Sequence, residues 1–288
     1  MQINAVTYSK AVAIILMVLA HARIFQYGQY WINMFHMPLF FMMSGYCFKD
    51  KYLADTKTFL SRRVSGIYWP FIKWSIIFLL LHNLFFNLNI YSDEYGYKGK
   101  VSELLSINVI FQRVFSTVFA LGDSEQLLGG FWFLRDLFLG SIIFYITLLF
   151  TRKHQWLGGA FLLVITFCLV FIGTQTNFYS ARTCLASVFI WLGYMLKNSG
   201  FKKYKAWWFP IMGFLIVSMG ALFWQTSCLS VKPMTYFPFV FTALLGSLSV
   251  LCLCEKMEKY TENWFLRLFR FIGENTLTIL TWHFLSLK

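Results

Sequence analysis

Nine long apolar stretches constrain the fold of this chain more than any other feature of its sequence. A membrane-spanning α-helix needs about 20 mostly apolar residues. Stretches of roughly this length cover residues 7–24, 32–48, 67–90, 131–150, 156–173, 180–197, 206–224, 235–254 and 271–287. The composition agrees, because 58% of the residues are hydrophobic, 21% are aromatic and only 13% are charged. The sequence therefore predicts an all-α polytopic membrane protein with about nine transmembrane helices.

The distribution of basic residues predicts the orientation of these helices. One set of alternate loops holds fifteen Lys or Arg residues and comprises 49–66, 151–155, 197–205 and 255–270. The other set holds six and comprises 22–31, 91–130, 173–182 and 225–234. Because basic loops remain in the cytoplasm, we expect a cytoplasmic N-terminus. The formal net charge of +13 follows from these loops and does not indicate a nucleic-acid partner.

The segment 91–130 tests the helix count. Its part from Val101 to Leu121 is apolar enough for a tenth span, but Gln112 and Arg113 lie in the middle. A tenth span here would also turn the later basic loops outward, against the charge rule. We therefore expect an external segment whose apolar halves lie in the interface or dip into the membrane and return. It would serve as a lid or acceptor shelf, or as an amphipathic surface helix without a further role.

No second domain is indicated. The sequence has no internal repeat or domain-scale linker, so we expect one membrane domain over residues 1–288. The six cysteines lie mostly in apolar stretches without histidines at ligand spacing, which predicts neither a metal site nor a disulfide framework. The first stretch lacks a basic leader and is expected to remain in the mature protein.

Ionisable residues inside apolar stretches are costly and are candidates for function. Lys10 and His21 are eleven residues apart in the first stretch. At about 100° per residue this is within about 20° of three turns, so both should project from one face, about 16 Å apart along the axis. Lys10 would lie toward the cytoplasm, and His21 would lie toward the outside as a general base for a hydroxyl. Alternatively, Lys10 only extends to the phosphates of cytoplasmic lipids.

The second stretch contains the run FHMPLFFMMSGY at 35–46. Pro38 suits the first turns of a helix, and Ser44 with Gly45 allows close approach of another helix. Packing explains most of this run. His36 would lie near the external end, either as part of a site or as an ordinary interface histidine.

Four features of the sequence occur together: Lys10 and His21 with ten residues between them, the run at 35–46, Arg62 and Arg63 before Pro70, and GFWFL at 130–134. In this combination the chain resembles the acyltransferase-3 family of membrane acyltransferases. The resemblance extends from Tyr8 to about Leu137 and resumes from Gly273 to His283. Between 140 and 260 it is one of hydropathy only.

The resemblance implies a bacterial inner-membrane O-acyltransferase, with acetyl as the expected acyl group. Such enzymes modify lipopolysaccharide, exopolysaccharide, peptidoglycan and small glycosides. Acyl-CoA, with acetyl-CoA expected, would be a donor substrate rather than a tightly bound cofactor, and a sugar or polysaccharide hydroxyl would be the acceptor. In the family the histidine of the first helix is the proposed base and the preceding basic residue is essential; here these are His21 and Lys10. The remaining partner is the bilayer.

The other candidate residues would bind substrate. Arg62 and Arg63 belong to a basic cytoplasmic rim that would meet the donor phosphates, although the orientation rule alone also explains such charges. The rim further includes Lys49, Lys51, Lys57 and Lys73. Candidates for stabilising an oxyanion are Trp132, Arg135, Ser44 and His36. Arg135 alternatively pairs with its neighbour Asp136. His283 and His36 are rivals of His21 for the role of base.

Two departures from the family pattern are visible. Members usually have a tenth span, and this chain is expected to lack the last one. Many members also carry a second arginine three residues after the first. In this chain the position three residues after Arg63 is occupied by Gly66.

Two other functions are compatible with the sequence. A transporter or flippase would line a solute path with polar residues, but no related pair of broken helices is evident and intramembrane carboxylates are nearly absent. A truncated, inactive family member acting as a structural partner is the other alternative.

Overall fold

The computed structural model describes residues 3–22, 25–91, 101, 103–122, 125–173, 179–199, 207–260 and 263–287. These residues form helices joined by turns, with no β-strand among them, which confirms the all-α prediction. Parts of the predicted loops at 91–130, 173–182 and 197–205 lie outside the described residues.

The α-helices of the described part, in chain order, are α1 (Ile3–His21), α2 (Gln26–Asn33), α3 (His36–Tyr46), α4 (Thr56–Arg63), α5 (Trp69–Leu80), α6 (His82–Asn87), α7 (Ile107–Ala120), α8 (Trp132–Phe150), α9 (Gln155–Gly173), α10 (Tyr179–Asn198), α11 (Trp208–Phe223), α12 (Tyr236–Met257), α13 (Trp264–Glu274) and α14 (Thr276–Ser286).

Five helical segments of the described part are long and apolar enough to cross a membrane. They are Asn4–His21, Thr56–Asn87, Trp132–Phe150, Gln155–Gly173 and Pro233–Met257. Each corresponds to one of the nine predicted stretches. The exact number of crossings and the side of the N-terminus remain predictions.

Three predicted stretches are each divided into two shorter helices, and the third stretch along the chain is divided at Leu81 between α5 and α6. The second is split between α2 and α3, where Phe35, with a φ of −143° and a ψ of −16°, departs from helical geometry. The buried Phe35 ring packs edge-on against Trp31 at 4.9 Å, so packing fixes this break. The ninth is split at Asn275, whose side-chain amide donates to the Phe271 carbonyl at 2.8 Å. Hydropathy alone does not register such breaks, because apolar residues lie on both sides.

The chain forms two compact units. The first comprises Met1–Leu53 and Leu139–Thr276, and the second comprises Ala54–Phe138 and Leu277–Lys288.

Close packing of α3 on α10 is the central feature of the first unit. A Cβ atom added to Gly45 would lie 1.8 Å from the Ile190 carbonyl oxygen, and one added to Gly193 would lie 1.9 Å from that of Met42. This confirms the expectation that Gly45 admits a neighbouring helix. Lys197 at the end of α10 donates to the Phe48 carbonyl at 2.8 Å. The C-terminal ends of α3 and α10 therefore lie together.

Helix α1 also belongs to the first unit and packs against α3, α12 and α13. A Cβ added to Gly273 of α13 would lie 2.1 Å from the Thr7 carbonyl oxygen. This close approach holds the N-terminal half of α1 against α13.

In the second unit, α7 runs along the helical segment Thr56–Asn87. Near the start of α7, Asn83 donates to the Leu105 carbonyl at 2.9 Å and accepts from the Leu105 N–H at 2.7 Å. Near its end, the Tyr68 hydroxyl donates to the Val118 carbonyl at 2.8 Å. Asn83 and Tyr68 are separated by about 22 Å of helix rise. Helix α7 therefore runs antiparallel to α5 over about that distance.

After α7 the chain turns and returns. Leu121 adopts a left-handed φ of 51°, and the Gly122 N–H donates to the Ser116 carbonyl at 3.1 Å. Glu125 then lies beside His82, at the level where α7 began. Glu103 and Glu125 therefore both lie beside His82, and the placement of this segment in the membrane stays a prediction. The face of α7 formed by Ile107, Phe111, Phe115 and Phe119 is between 65% and 73% exposed.

Candidate active site

Helix α1 carries the two residues that the sequence singled out first. It is one unbroken helix from Ile3 to His21, so Lys10 and His21 lie on one face as predicted. Both side chains are partly exposed, whereas Ile14 and Met17, which lie between them on this side of the helix, are buried. A cation and an imidazole therefore share this face, about 16 Å apart along the axis.

His36 and Ser44 lie on α3 in the same unit. His36 is the first residue of the helix and is buried, and its Nδ1 lies 2.8 Å from the Ile32 carbonyl oxygen. A carbonyl can only accept, so Nδ1 carries the hydrogen and Nε2 is the basic nitrogen of a neutral ring. Ser44, about two turns further along α3, is half-buried.

Arg62 and Arg63 end α4 in the second unit. Arg62 is exposed, and the guanidinium of the half-buried Arg63 lies 5.3 Å from the centre of the Phe59 ring. Lys73 is exposed and lies over Trp74 at 5.2 Å. Arg62 and Lys73 thus present exposed positive charges, while Arg63 makes a cation–π contact.

Trp132, Arg135 and Asp136 lie in the first turns of α8. The Arg135 Nε donates to Asp136 Oδ1 at 3.3 Å, and Asp136 is completely buried. The predicted alternative, in which these neighbours pair, is confirmed. A buried carboxylate requires such a counter-charge, so Arg135 first neutralises Asp136.

His283 on α14 lies beside the turn that precedes α8. It is buried, and its Nδ1 lies 2.8 Å from the Leu280 carbonyl oxygen. A Cβ added to Gly130 would lie 3.5 Å from the His283 Cε1 and 2.8 Å from the Leu280 Cδ1. Two motifs far apart in the sequence, the GFWFL run and the terminal histidine, are therefore brought together in this unit.

Each unit holds part of the predicted set. Lys10, His21, His36 and Ser44 belong to the first unit. Arg62, Arg63, Trp132, Arg135 and His283 belong to the second. Among the residues that the structure describes, no group of three or more His, Cys, Asp or Glu side chains is placed to hold a metal ion.

Sequence reasoning did not identify a buried polar cluster in the second unit. His82 Nδ1 lies 3.0 Å from Glu125 Oε2, and the Tyr91 hydroxyl lies 2.9 Å from the same nitrogen. The Tyr91 hydroxyl also donates to Glu125 Oε1 at 2.6 Å. Burial and the Glu125 carboxylate raise the pKa of Tyr91, so the phenol stays a donor at neutral pH. The available signal was a histidine at the end of the third apolar stretch together with a carboxylate in the segment 91–130.

An all-helical chain with several membrane-length helices, and with a cation and an imidazole on one face of the first, has the features of a multi-pass membrane enzyme. The family model Acyl_transf_3, described as an acyltransferase domain, matches residues 3–288, and the chain belongs to this acyltransferase-3 family. The resemblance inferred from the sequence motifs is thereby confirmed. No curated protein and no solved structure matches the chain. Family membership supports a membrane-embedded acyltransferase.

Proposed function

We propose that the chain moves an acyl group, with acetyl expected, from a cytoplasmic acyl-CoA to a hydroxyl of a cell-surface sugar or polysaccharide. The enzyme would act in the bacterial inner membrane. The observation that carries this proposal is the shared face of Lys10 and His21 on the unbroken helix α1. A cation toward the donor side and a titratable ring toward the acceptor side suit a transfer in which only the acyl group crosses the membrane.

The proposed chemistry begins with His21 as general base. The imidazole accepts the proton of the acceptor hydroxyl while that oxygen bonds to the carbonyl carbon of the thioester. The carbon–sulfur bond then breaks, and the proton passes to the departing CoA thiolate. The acyl group reaches the sugar by this direct route or through an acyl-enzyme.

The donor would approach through the basic rim. Arg62 and Lys73 are exposed and can pair with CoA phosphates, and Lys10 would meet the pantetheine arm or the thioester deeper in the membrane. Ser44, His36 and Trp132 remain candidates for stabilising the oxyanion. Arg135 is a weaker one, because its guanidinium pairs with Asp136.

The test uses the purified protein in nanodiscs with acetyl-CoA labelled in the acetyl group and a surface-glycan fraction as acceptor. We expect label in the glycan, lost with His21→Gln and retained with His154→Gln. His154 is an exposed histidine in the turn before α9 and serves as the matched control. Absence of label in any glycan, with solute uptake by the same protein in proteoliposomes, would instead establish the transporter alternative.

A further inference from the structure

Two consecutive residues of one helix contact both ends of the segment that runs from Glu103 to Glu125. On the incoming side, His82 Nε2 lies 3.4 Å from the Glu103 carbonyl oxygen, and Asn83 makes two hydrogen bonds with the Leu105 backbone. On the outgoing side, His82 Nδ1 contacts Glu125 Oε2 at 3.0 Å. We name this pair of residues, at the start of α6, the His82–Asn83 clasp.

The contacts of His82 occupy both nitrogens of its ring. Glu125 Oε2 and the Tyr91 oxygen face Nδ1, and a carbonyl oxygen faces Nε2. Each ring nitrogen of His82 therefore has an oxygen partner from the protein itself. The side chains of His82 and Glu125 are only 4% and 2% exposed. A ring with both nitrogens occupied and no access for substrate is unsuited to act as a general base.

The clasp lies close in sequence to the turn beside His283. Directly after Glu125 come Gln126, Leu127 and Leu128, all buried in a 3-10 turn. Phe131 then packs on Phe71 of α5 at 5.9 Å, and Gly130 lies against Leu280 and His283. Because the intervening residues are buried, the position of Glu125 constrains the linking turn, which we define as residues 126–131.

We propose that the His82–Asn83 clasp positions the segment 103–131 for acceptor binding. His82, Asn83 and Glu125 are then positioning residues, which hold α7 and the linking turn in place. The inference rests on the proposed function, because it assigns the segment to the acceptor side of an acyl transfer. Displacement of a binding element by about 1 Å is enough to lower a rate by up to 10²-fold.

The first experiment uses a matched pair of asparagine variants. Asn83→Ala removes two hydrogen bonds to the incoming side, whereas Asn87→Ala changes an exposed asparagine one turn further along the same helix. We expect Asn83→Ala to raise the acceptor KM about tenfold or more with an unchanged donor KM, in line with the cost of a small displacement. Asn87→Ala should behave as the wild type.

The second experiment tests His82 and its partner. His82→Gln should raise the acceptor KM as Asn83→Ala does, and His82→Glu combined with Glu125→His should recover part of the loss by restoring the pair in reverse. An imidazole needed only for packing would show no such recovery. A fall in kcat of His82→Gln as large as that of His21→Gln, without a change in acceptor KM, would overturn the positioning role.

Hydrogen exchange provides a readout that does not require activity. In Asn83→Ala and His82→Gln, amides of residues 107–122 should exchange faster, while those of residues 3–21 should keep wild-type protection. Unchanged protection at 107–122 would refute the clasp, and faster exchange with unaltered acceptor kinetics would refute its positioning role. If the wild type transfers no acyl group at all, the proposed function fails, and the exchange data still decide whether the clasp exists.

Discussion

The Lys10–His21 face of α1 and the His82–Asn83 clasp each place a histidine at an end of a membrane helix, in opposite surroundings. His21 is partly exposed on a face that also carries a cation. His82 is buried, with a carboxylate at one nitrogen and a carbonyl at the other. A ring that a substrate can reach is suited to chemistry, whereas a ring enclosed by its own partners is suited to hold structure. The predictions below test this difference.

The largest expected effect is that of His21→Ala. A general base contributes about 10²–10⁴-fold, so acyl transfer should fall by that factor at unchanged protein level in the membrane. His36 and His283 are the comparators, and each histidine is replaced singly by Ala and by Gln before glycan acylation is measured. Normal acylation by the His21 variants and its loss with a His36 or His283 variant would show that the base has been misassigned.

Lys10→Ala should weaken acyl transfer less than His21→Ala and leave membrane insertion intact. Removal of an intramembrane charge eases insertion but takes a cation from the donor side. Initial rates over a range of acyl-CoA concentrations measure the effect. Wild-type rates at all concentrations would mean that Lys10 only reaches the lipid phosphates and takes no part in the α1 face.

The contact of His82 with Glu125 should contribute to the free energy of unfolding. Glu125→Ala leaves the buried His82 Nδ1 without its carboxylate partner, and loss of a hydrogen bond to a charged group should cost about 1.5–3 kcal/mol. Replacing both by leucine should cost less than the single change, because no unsatisfied buried polar group then remains at this contact. Thermal unfolding in detergent measures both variants. Equal losses from the single and double variants would show that the His82–Glu125 contact does not stabilise the second unit.

Gly45→Ala should have a smaller effect, on the close contact of α3 with α10. The added methyl group would meet the Ile190 carbonyl, and overpacking of this kind typically costs about 1–3 kcal/mol. Gly66→Ala is the matched control, because no atom lies within 4 Å of its added Cβ. If both variants unfold at the same temperature, the contact contributes little to the first unit.

The parts of the molecule that sequence predicted well depend on neighbours along one helix. The shared face of Lys10 and His21 follows from helical periodicity, and the Arg135–Asp136 pair joins adjacent residues. The close approach at Gly45 was also predictable, although nothing in the local pattern identified α10 as its partner. In each case the geometry is fixed by a few consecutive turns.

The parts that sequence missed depend on distant contacts. His82 and Glu125 are 43 positions apart, and no periodicity connects them. The breaks at Phe35 and Asn275 lie inside apolar runs and are fixed by ring packing and a side-chain hydrogen bond. Hydropathy reports the amount of apolar surface but not the point at which a helix bends.

The central claim is that the α1 face carries an acyl group from a donor on one side of the membrane to an acceptor on the other. The most direct test uses sealed inside-out membrane vesicles with glycan enclosed and labelled acyl-CoA supplied only outside. We expect label in the enclosed glycan with the wild type and none with His21→Gln. Label only in glycan added outside, on the same side as acyl-CoA, would contradict the claim.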